Sequence, residues 1–321
     1  MSVPSMSGDE DARLPVAAAG DADPTLAEIL RRYFDGEISA PVTLMQLLIE
    51  MEDADAVAGA VRAMVRDMER AAAGSVAHRR ARELEQLMKA NSAGCERIAM
   101  MLRADVDSAK PARSVEEGIA FCERLFDWSV QQSEEASVAL YSLGSPELLQ
   151  RATDEIVVQL RRWGLVTANT ELLDIGCGIG RLLVALAPRV RHATGIDVSA
   201  EMVKAAQRRC AGLDNVTVIK GDGYGLTGLA DASFDAAIAV DSFPYLRQSG
   251  YALVERYVAD AARVLRSRGE LVILNYSYSE DADTEAKELR ALAEQSGFDV
   301  VEVGGRPFRL WDGVVFRLRR R

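Results

Sequence analysis

Glu171-Leu172-Leu173-Asp174-Ile175-Gly176-Cys177-Gly178-Ile179-Gly180-Arg181 is the stretch whose reading decides the fold. Leu172, Leu173 and Ile175 give an apolar run too short for a helix, so Glu171 to Ile175 reads as a buried strand. Gly176, Gly178 and Gly180 let the backbone turn sharply and leave no side chain between it and a ligand. Helical spacing resumes over Leu182 to Ala187, and Pro188 ends it. A strand, a glycine turn and a helix N-terminus aim backbone N–H groups at one point, the arrangement that receives nucleotides.

Spacing separates the kinds of nucleotide. A dinucleotide fingerprint, G-x-G-x-x-G, requires its third glycine at position 181, where Arg181 stands; here the third glycine is Gly180. The pattern D-x-G-x-G-x-G beginning at Asp174 resembles motif I of the class I S-adenosylmethionine (SAM)-dependent methyltransferases. Further correspondences follow in order. The second strand ends at Asp197-Val198-Ser199, where an acid can accept both ribose hydroxyls of a nucleoside; capping the next helix is the alternative, but Ser199 already fills that role. The third strand ends at Asp222-Gly223, and the resemblance implies an acid there for the adenine amino group and a backbone N–H for a ring nitrogen; a solvated turn aspartate is the alternative. The fourth runs into Asp241-Ser242-Phe243-Pro244-Tyr245, the family's motif IV position, and the fifth ends at Asn275-Tyr276-Ser277-Tyr278.

The resemblance covers roughly residues 145–320. It implies SAM as cofactor, S-adenosyl-L-homocysteine as product, and a seven-stranded, mostly parallel Rossmann-like sheet with an antiparallel last strand. Tyr141, Asp174, Gly176, Gly178, Gly180, Asp197, Val198, Asp222, Gly223 and Asp241 are the cofactor-binding candidates. Asp241, Tyr245 and Tyr276 are the catalytic candidates, Asp241 as base or counter-ion and the tyrosines to orient an acceptor; half-buried loop packing is the alternative for the tyrosines. A histidine base is weakly supported: His192 starts the second strand, at the sheet end opposite the cofactor, and His78, in the helical region, reaches the site only if that region folds over it. Asp241 with Asn275 resembles part of the magnesium site of catechol-type methyltransferases, but Leu274 stands where a second acid would be needed, so no metal is expected.

Outside that core, residues 1–23 read as a loose arm, rich in Ser, Gly, Asp, Ala and Pro. Residues 24–140 read as an all-α lid and acceptor domain, which also offers a homodimer surface, and residues 141–321 as the α/β core. Strands are expected at 170–176, 192–198, 215–221, 234–241, 269–276, 298–304 and 313–319, and helices of the core at 179–187, 200–211, 249–266 and 282–296. A loop joins the last two strands, which should therefore pair antiparallel.

The chain of 321 residues, 49% hydrophobic and 27% charged, has the composition of a globular protein. A net charge of −11 disfavours a nucleic-acid substrate. Cys95, Cys122, Cys177 and Cys210 are widely spaced, and no Lys/Arg-led apolar segment or membrane-spanning run is visible; a reduced, cytoplasmic setting with no membrane partner is expected. Three functions fit: methyl transfer to an O, N or C atom of a small-molecule acceptor, methyl transfer to protein through a helical docking domain, or SAM binding by a regulator without catalysis.

Overall fold

The computed structural model describes residues 23–104, 112–278 and 281–321. The arm expected over residues 1–23 lies outside them, except for Asp23, whose carboxylate accepts the Thr25 N–H at the start of the first helix. Five helices come first: α1 (Pro24–Phe34), α2 (Ala40–Met51), α3 (Ala54–Ala72), α4 (Val76–Ala90) and α5 (Ser92–Ala104). Capping side chains set three of the boundaries: Ser39, Asp53 and Ser75 each accept an N–H of the first turn that follows. Helix α2 is apolar nearly all round and buries Val42, Leu44, Leu47 and Leu48 against its neighbours.

Helix α6 (Val115–Gln132) starts at Ser114, whose hydroxyl accepts the Glu117 N–H at 3.2 Å. Short α7 (Glu134–Val138) and a 3₁₀ turn over Leu140–Ser142 lead to α8 (Pro146–Arg162). The alternating part follows: β1 (Glu171–Ile175), α9 (Arg181–Leu186), β2 (His192–Asp197), α10 (Ala200–Arg209), β3 (Val216–Lys220), β4 (Phe234–Val240), α11 (Phe243–Ser249), α12 (Tyr251–Val264), β5 (Leu265–Leu274), α13 (Ala282–Gln295), β6 (Phe298–Gly305) and β7 (Val315–Arg320).

The strands form one sheet in the order β3-β2-β1-β4-β5-β7-β6, with β7 antiparallel to both of its neighbours and the other neighbouring pairs parallel. This is the seven-stranded, mostly parallel Rossmann-like sheet expected from the sequence. Its order reverses at β1, where β2 lies to one side and β4 to the other, so a crevice opens beyond the carboxyl ends of these strands. Three details differ from expectation. The helix read over 249–266 is split by Gly250 (φ +132°), and β5 begins at Leu265, four residues before Gly269. The segment after Asp241, read as an acceptor loop, is the first turn of α11, which Pro244 favours at its start.

Alternate residues of the central strands face two cores. Leu172, Ile238, Val272 and Leu274 pack with α8, α9 and the N-terminal helices. Leu173, Ala237, Leu271 and Ile273 pack with α12 and α13. The first core gathers residues from Ile29 to Val315 in one cluster, which joins α1–α5 to the sheet through α8 and the 3₁₀ turn. Between β5 and β7 the buried Glu270 carboxylate takes Arg317 at 2.8 Å and Arg319 at 2.6 Å, so two of the C-terminal arginines are paired within the sheet.

Candidate active site

The crevice at the β1/β4 switch has a volume of about 1140 Å³. This exceeds the 300–1,000 Å³ or so typical of a single small-ligand pocket, so there is room for a cofactor and an acceptor together. Gly176, Gly178, Asp197, Val198, Gly223, Asp241, Tyr245 and Tyr141, all singled out from the sequence, line it.

Backbone geometry makes the glycines necessary. Gly176 (φ +75°) and Gly178 (φ +52°) sit in the left-handed region, where a side chain is strained. A Cβ at Gly176 would lie 2.5 Å from Ser242 Cβ, and one at Gly178 would lie 2.7 Å from Val138 Cγ1. The turn is thus closed from above by α7. Gly223 (φ +81°) is closed likewise by α6, for a Cβ there would meet Ile119 Cγ2 at 2.5 Å. Gly180 does something else: it packs α9 against Ala206 of α10 and takes no part in the lining.

Asp197 is the pivot of the cradle. Its Oδ2 accepts the Gly178 N–H and its Oδ1 the Ser199 N–H, at 2.8 and 2.9 Å, which joins the β1 turn to the β2 turn. Ser199 caps α10 by accepting the Met202 N–H at 3.0 Å, the capping role that the sequence gives it. Burial raises the Asp197 pKa, and the backbone N–H bonds oppose it. The roof is latched in the same region: the Ser199 hydroxyl donates to Asp127 of α6, and Arg208 and Arg209 of α10 pair with Glu134 of α7. Nothing in the local sequence pattern marks Asp127, Val138 or Ile119, since each acts across a long sequence separation.

Besides Gly180, three candidates fall elsewhere. The exposed Asp222 accepts the N–H of Tyr224 in its own turn at 2.8 Å and does not line the crevice. Tyr276 is fully buried: its hydroxyl donates to Glu288 at 3.3 Å, and its ring packs on Phe243 and Phe316. Asp174 lies behind the turn, 2% exposed, with Oδ2 unpartnered among the described residues. Burial pushes its pKa up to about 7, and Arg181 draws it down in part. A carboxyl with so high a folded pKa keeps its proton while the unfolded chain, titrating near 4, loses it. Stability therefore falls as pH rises from about 4 to about 7. Asp174→Asn should melt several degrees above the unsubstituted chain at pH 8, and that gain should vanish near pH 4, as thermal scans at the two pH values would reveal.

At the other end of the glycine turn, Asp241 and Asn275 leave β4 and β5 with positive φ (+57° and +66°). Asn275 Nδ2 donates to Asp241 Oδ1 at 2.7 Å, while its Oδ1 accepts the Val314 N–H at 2.8 Å. Burial pushes the Asp241 pKa up to about 7, against the hydrogen bond from Asn275 and the charge of Arg181. Such a group is poised as a base at neutral pH. Neither histidine lines the crevice: His192 Nε2 is paired with Thr217, and His78 Nδ1 accepts the Gly74 N–H. The walls beyond Asp241 are aromatic. Tyr245 meets Phe126 and Tyr278 edge-on at 4.8 and 6.1 Å, and Tyr141 stacks on Trp311 at 5.4 Å. Arg181, in place of the third glycine of a dinucleotide fingerprint, reaches Thr153 and the Tyr141 hydroxyl, at 3.1 and 3.4 Å.

Among the described residues, no helix is long and apolar enough to cross a membrane, and no cluster of three or more His, Cys, Asp or Glu side chains could hold a metal ion. Residues 173–273 match the methyltransferase domain family. The demethylmenaquinone methyltransferase of Tropheryma whipplei (strain Twist) is 34% identical over 115 residues, 35% of this chain and 44% of that protein. A SAM-dependent Diels-Alderase of Talaromyces variabilis is 26% identical, over 49% of this chain and 53% of its own. The chain thus spans about half the length of these relatives. The magnesium protoporphyrin IX methyltransferase of Synechocystis PCC 6803 superimposes with a TM-score of 0.47 at 19% identity, covering 64% of this chain and 97% of that one. Residues 173–273, which hold the glycine turn and the central strands of the sheet, are thus similar to a methyltransferase domain.

Proposed function

We propose that this chain transfers a methyl group from SAM to an O, N or C atom of a small-molecule acceptor, yielding S-adenosyl-L-homocysteine. The observation that carries the cofactor is Asp197, a buried carboxylate pinned between two backbone N–H groups on the crevice wall, with glycine on either side of it in space. Each of its oxygens keeps a lone pair for a ribose hydroxyl. A side chain at position 223 would run into Ile119 and Val198, so glycine lets the turn after β3 close onto the crevice wall there. The residues therefore fit an adenosyl group, and a bound sulfonium supplies an electrophilic methyl carbon.

What the chain adds is position and dryness. Helices α6 and α7 close over the glycine turn and keep water from the line of displacement. Held by Asn275, Asp241 takes the proton that an acceptor hydroxyl or amine gives up at attack. Tyr245 and Tyr278 hold the acceptor's face. The roof favours a small molecule over a protein side chain, since α1, α2 and α6 all border the same chamber. A small acceptor is also what the name of the Tropheryma relative indicates.

The test is to incubate the protein with methyl-labelled SAM and cell extract, then separate small molecules from protein. Label in a small molecule is the expected result. Label in protein would transfer the reading to a docking enzyme, and SAM binding with no labelled product would leave a regulator.

A further inference from the structure

Asp127 belongs to α6, outside the methyltransferase-like segment, yet its carboxylate sits on the turn that follows β2. Its Oδ1 accepts both the Ser199 hydroxyl at 2.6 Å and the Glu201 N–H at 3.0 Å. The first distance is that of a charge-assisted O–H···O⁻ bond, roughly twice as strong as a neutral one. One helical turn earlier, Glu123 holds Lys220 at the end of β3 at 3.0 Å. One turn earlier again, Ile119 closes on Gly223. A single stripe of α6 thus crosses the carboxyl ends of β2 and β3.

Ser199 is where that stripe reaches Asp197. Its hydroxyl gives its hydrogen to Asp127 and accepts the Met202 N–H, while its own N–H goes to Asp197 Oδ1 at 2.9 Å. Ser199 is fully buried, so loss of Asp127 takes away the partner of a hydroxyl that has no solvent to replace it. A buried donor without a partner is unfavourable, and the strain falls on the turn whose N–H orients Asp197. The Glu201 N–H, in the first turn of α10, loses its acceptor at the same time.

We propose that Asp127 is a positioning residue of the cofactor site: acting through Ser199, it holds the Asp197 carboxylate where it meets the ribose hydroxyls. The assignment rests on the SAM reading of the crevice. It makes the helical region, and not the α/β part alone, a contributor to recognition of the cofactor's sugar.

The experiment is calorimetric titration of the full chain with adenosine and with 2′,3′-dideoxyadenosine, which lacks both ribose hydroxyls. The unsubstituted chain should prefer adenosine by about 100-fold or more, the value of two hydrogen bonds to a carboxylate. Asp127→Ala should cut that preference about tenfold and leave dideoxyadenosine binding unchanged. Ser199→Ala should do the same. It keeps the Asp127 bond to Glu201, so α6 stays tied to α10, and it decides the matter if Asp127→Ala does not fold. Asp127→Asn should retain most of the preference, because its amide oxygen can accept both hydrogens. Equal weakening of both nucleosides would show that Asp127 only fastens the roof, and would overturn the proposal. So would an undiminished preference in either alanine variant, or a loss in Asp127→Asn as deep as in Asp127→Ala. If the unsubstituted chain binds the two nucleosides alike, Asp197 does not face the sugar, and the SAM reading falls together with the proposal. A preference that is present there and survives the variants sinks the role of Asp127 alone.

Discussion

Asp197→Ala is expected to weaken S-adenosylhomocysteine binding by about 100-fold or more, measured by calorimetry on the full chain. Hydrogen bonds to a charged acceptor are worth roughly 1.5–3 kcal/mol each, and two ribose hydroxyls would be lost together. At about 1.4 kcal/mol per decade, that corresponds to a loss on the order of 10²–10⁴ in affinity. The same change also orphans the N–H groups of Gly178 and Ser199, which Asp197 now satisfies at 2.8 and 2.9 Å. A drop in melting temperature is therefore expected as well and would not by itself establish a ligand role. Asp197→Asn separates the two effects, because its amide oxygen can still accept one of the N–H groups while the charge is gone. If Asn binds as tightly as Asp, the carboxylate merely fastens two turns and the adenosyl reading of the crevice fails. If Asn keeps most of the stability but loses most of the affinity, the carboxylate faces the sugar.

How far such a site can be read from sequence depends on whether the decisive residue acts locally. The strands were legible since each is a short apolar run between turns, and the loop between β6 and β7 announced their antiparallel pairing. Gly176 and Gly178 were legible because a left-handed turn admits little else. Tyr276 was not, for a reason visible in β5. Leu271 and Ile273 face one core, and Val272 and Leu274 the other, so strict alternation would set Tyr276 with the second pair. The positive φ of Asn275 shifts the parity by one, and Tyr276 joins Leu271 and Ile273 beneath the sheet. A single left-handed residue thus removed one candidate from the crevice. Asp222 failed for a simpler reason: an aspartate two residues before a free N–H in a turn satisfies that N–H first. The parts that no pattern could supply are those built across the chain. Val138 over Gly178, Ile119 over Gly223 and Trp311 against Tyr141 join segments whose separation in sequence carries no periodic signal.

Asp241→Asn is expected to lower kcat/KM by about 10²–10⁴-fold, the usual range for loss of a positioned base, with cofactor affinity little changed. Asparagine is the informative substitution here. Asp241 sits at φ +57°, a region that Asn tolerates better than other neutral residues, and an Asn oxygen can still accept the 2.7 Å bond from Asn275. Folding should therefore survive while the proton acceptor is removed. The pH dependence gives the sharper criterion. Burial pushes the Asp241 carboxyl up to about 7, so the side chain is protonated and inert as a base below that value, and ionised above it. In the unsubstituted enzyme kcat/KM should fall about tenfold per pH unit below 7 and level off above 8, because this profile reports the free enzyme's base. In Asp241→Asn the acid limb should be gone. Asn275→Ala offers an independent check with a definite sign: its hydrogen bond stabilises the ionised carboxylate, so losing it should move the limb to higher pH. An acid limb that persists unchanged in Asp241→Asn, or one that shifts to lower pH in Asn275→Ala, would show that the titrating group belongs to the acceptor. Asp241 would then be a positioning residue that shapes the chamber, and the acceptor would have to reach the methyl carbon already carrying its lone pair.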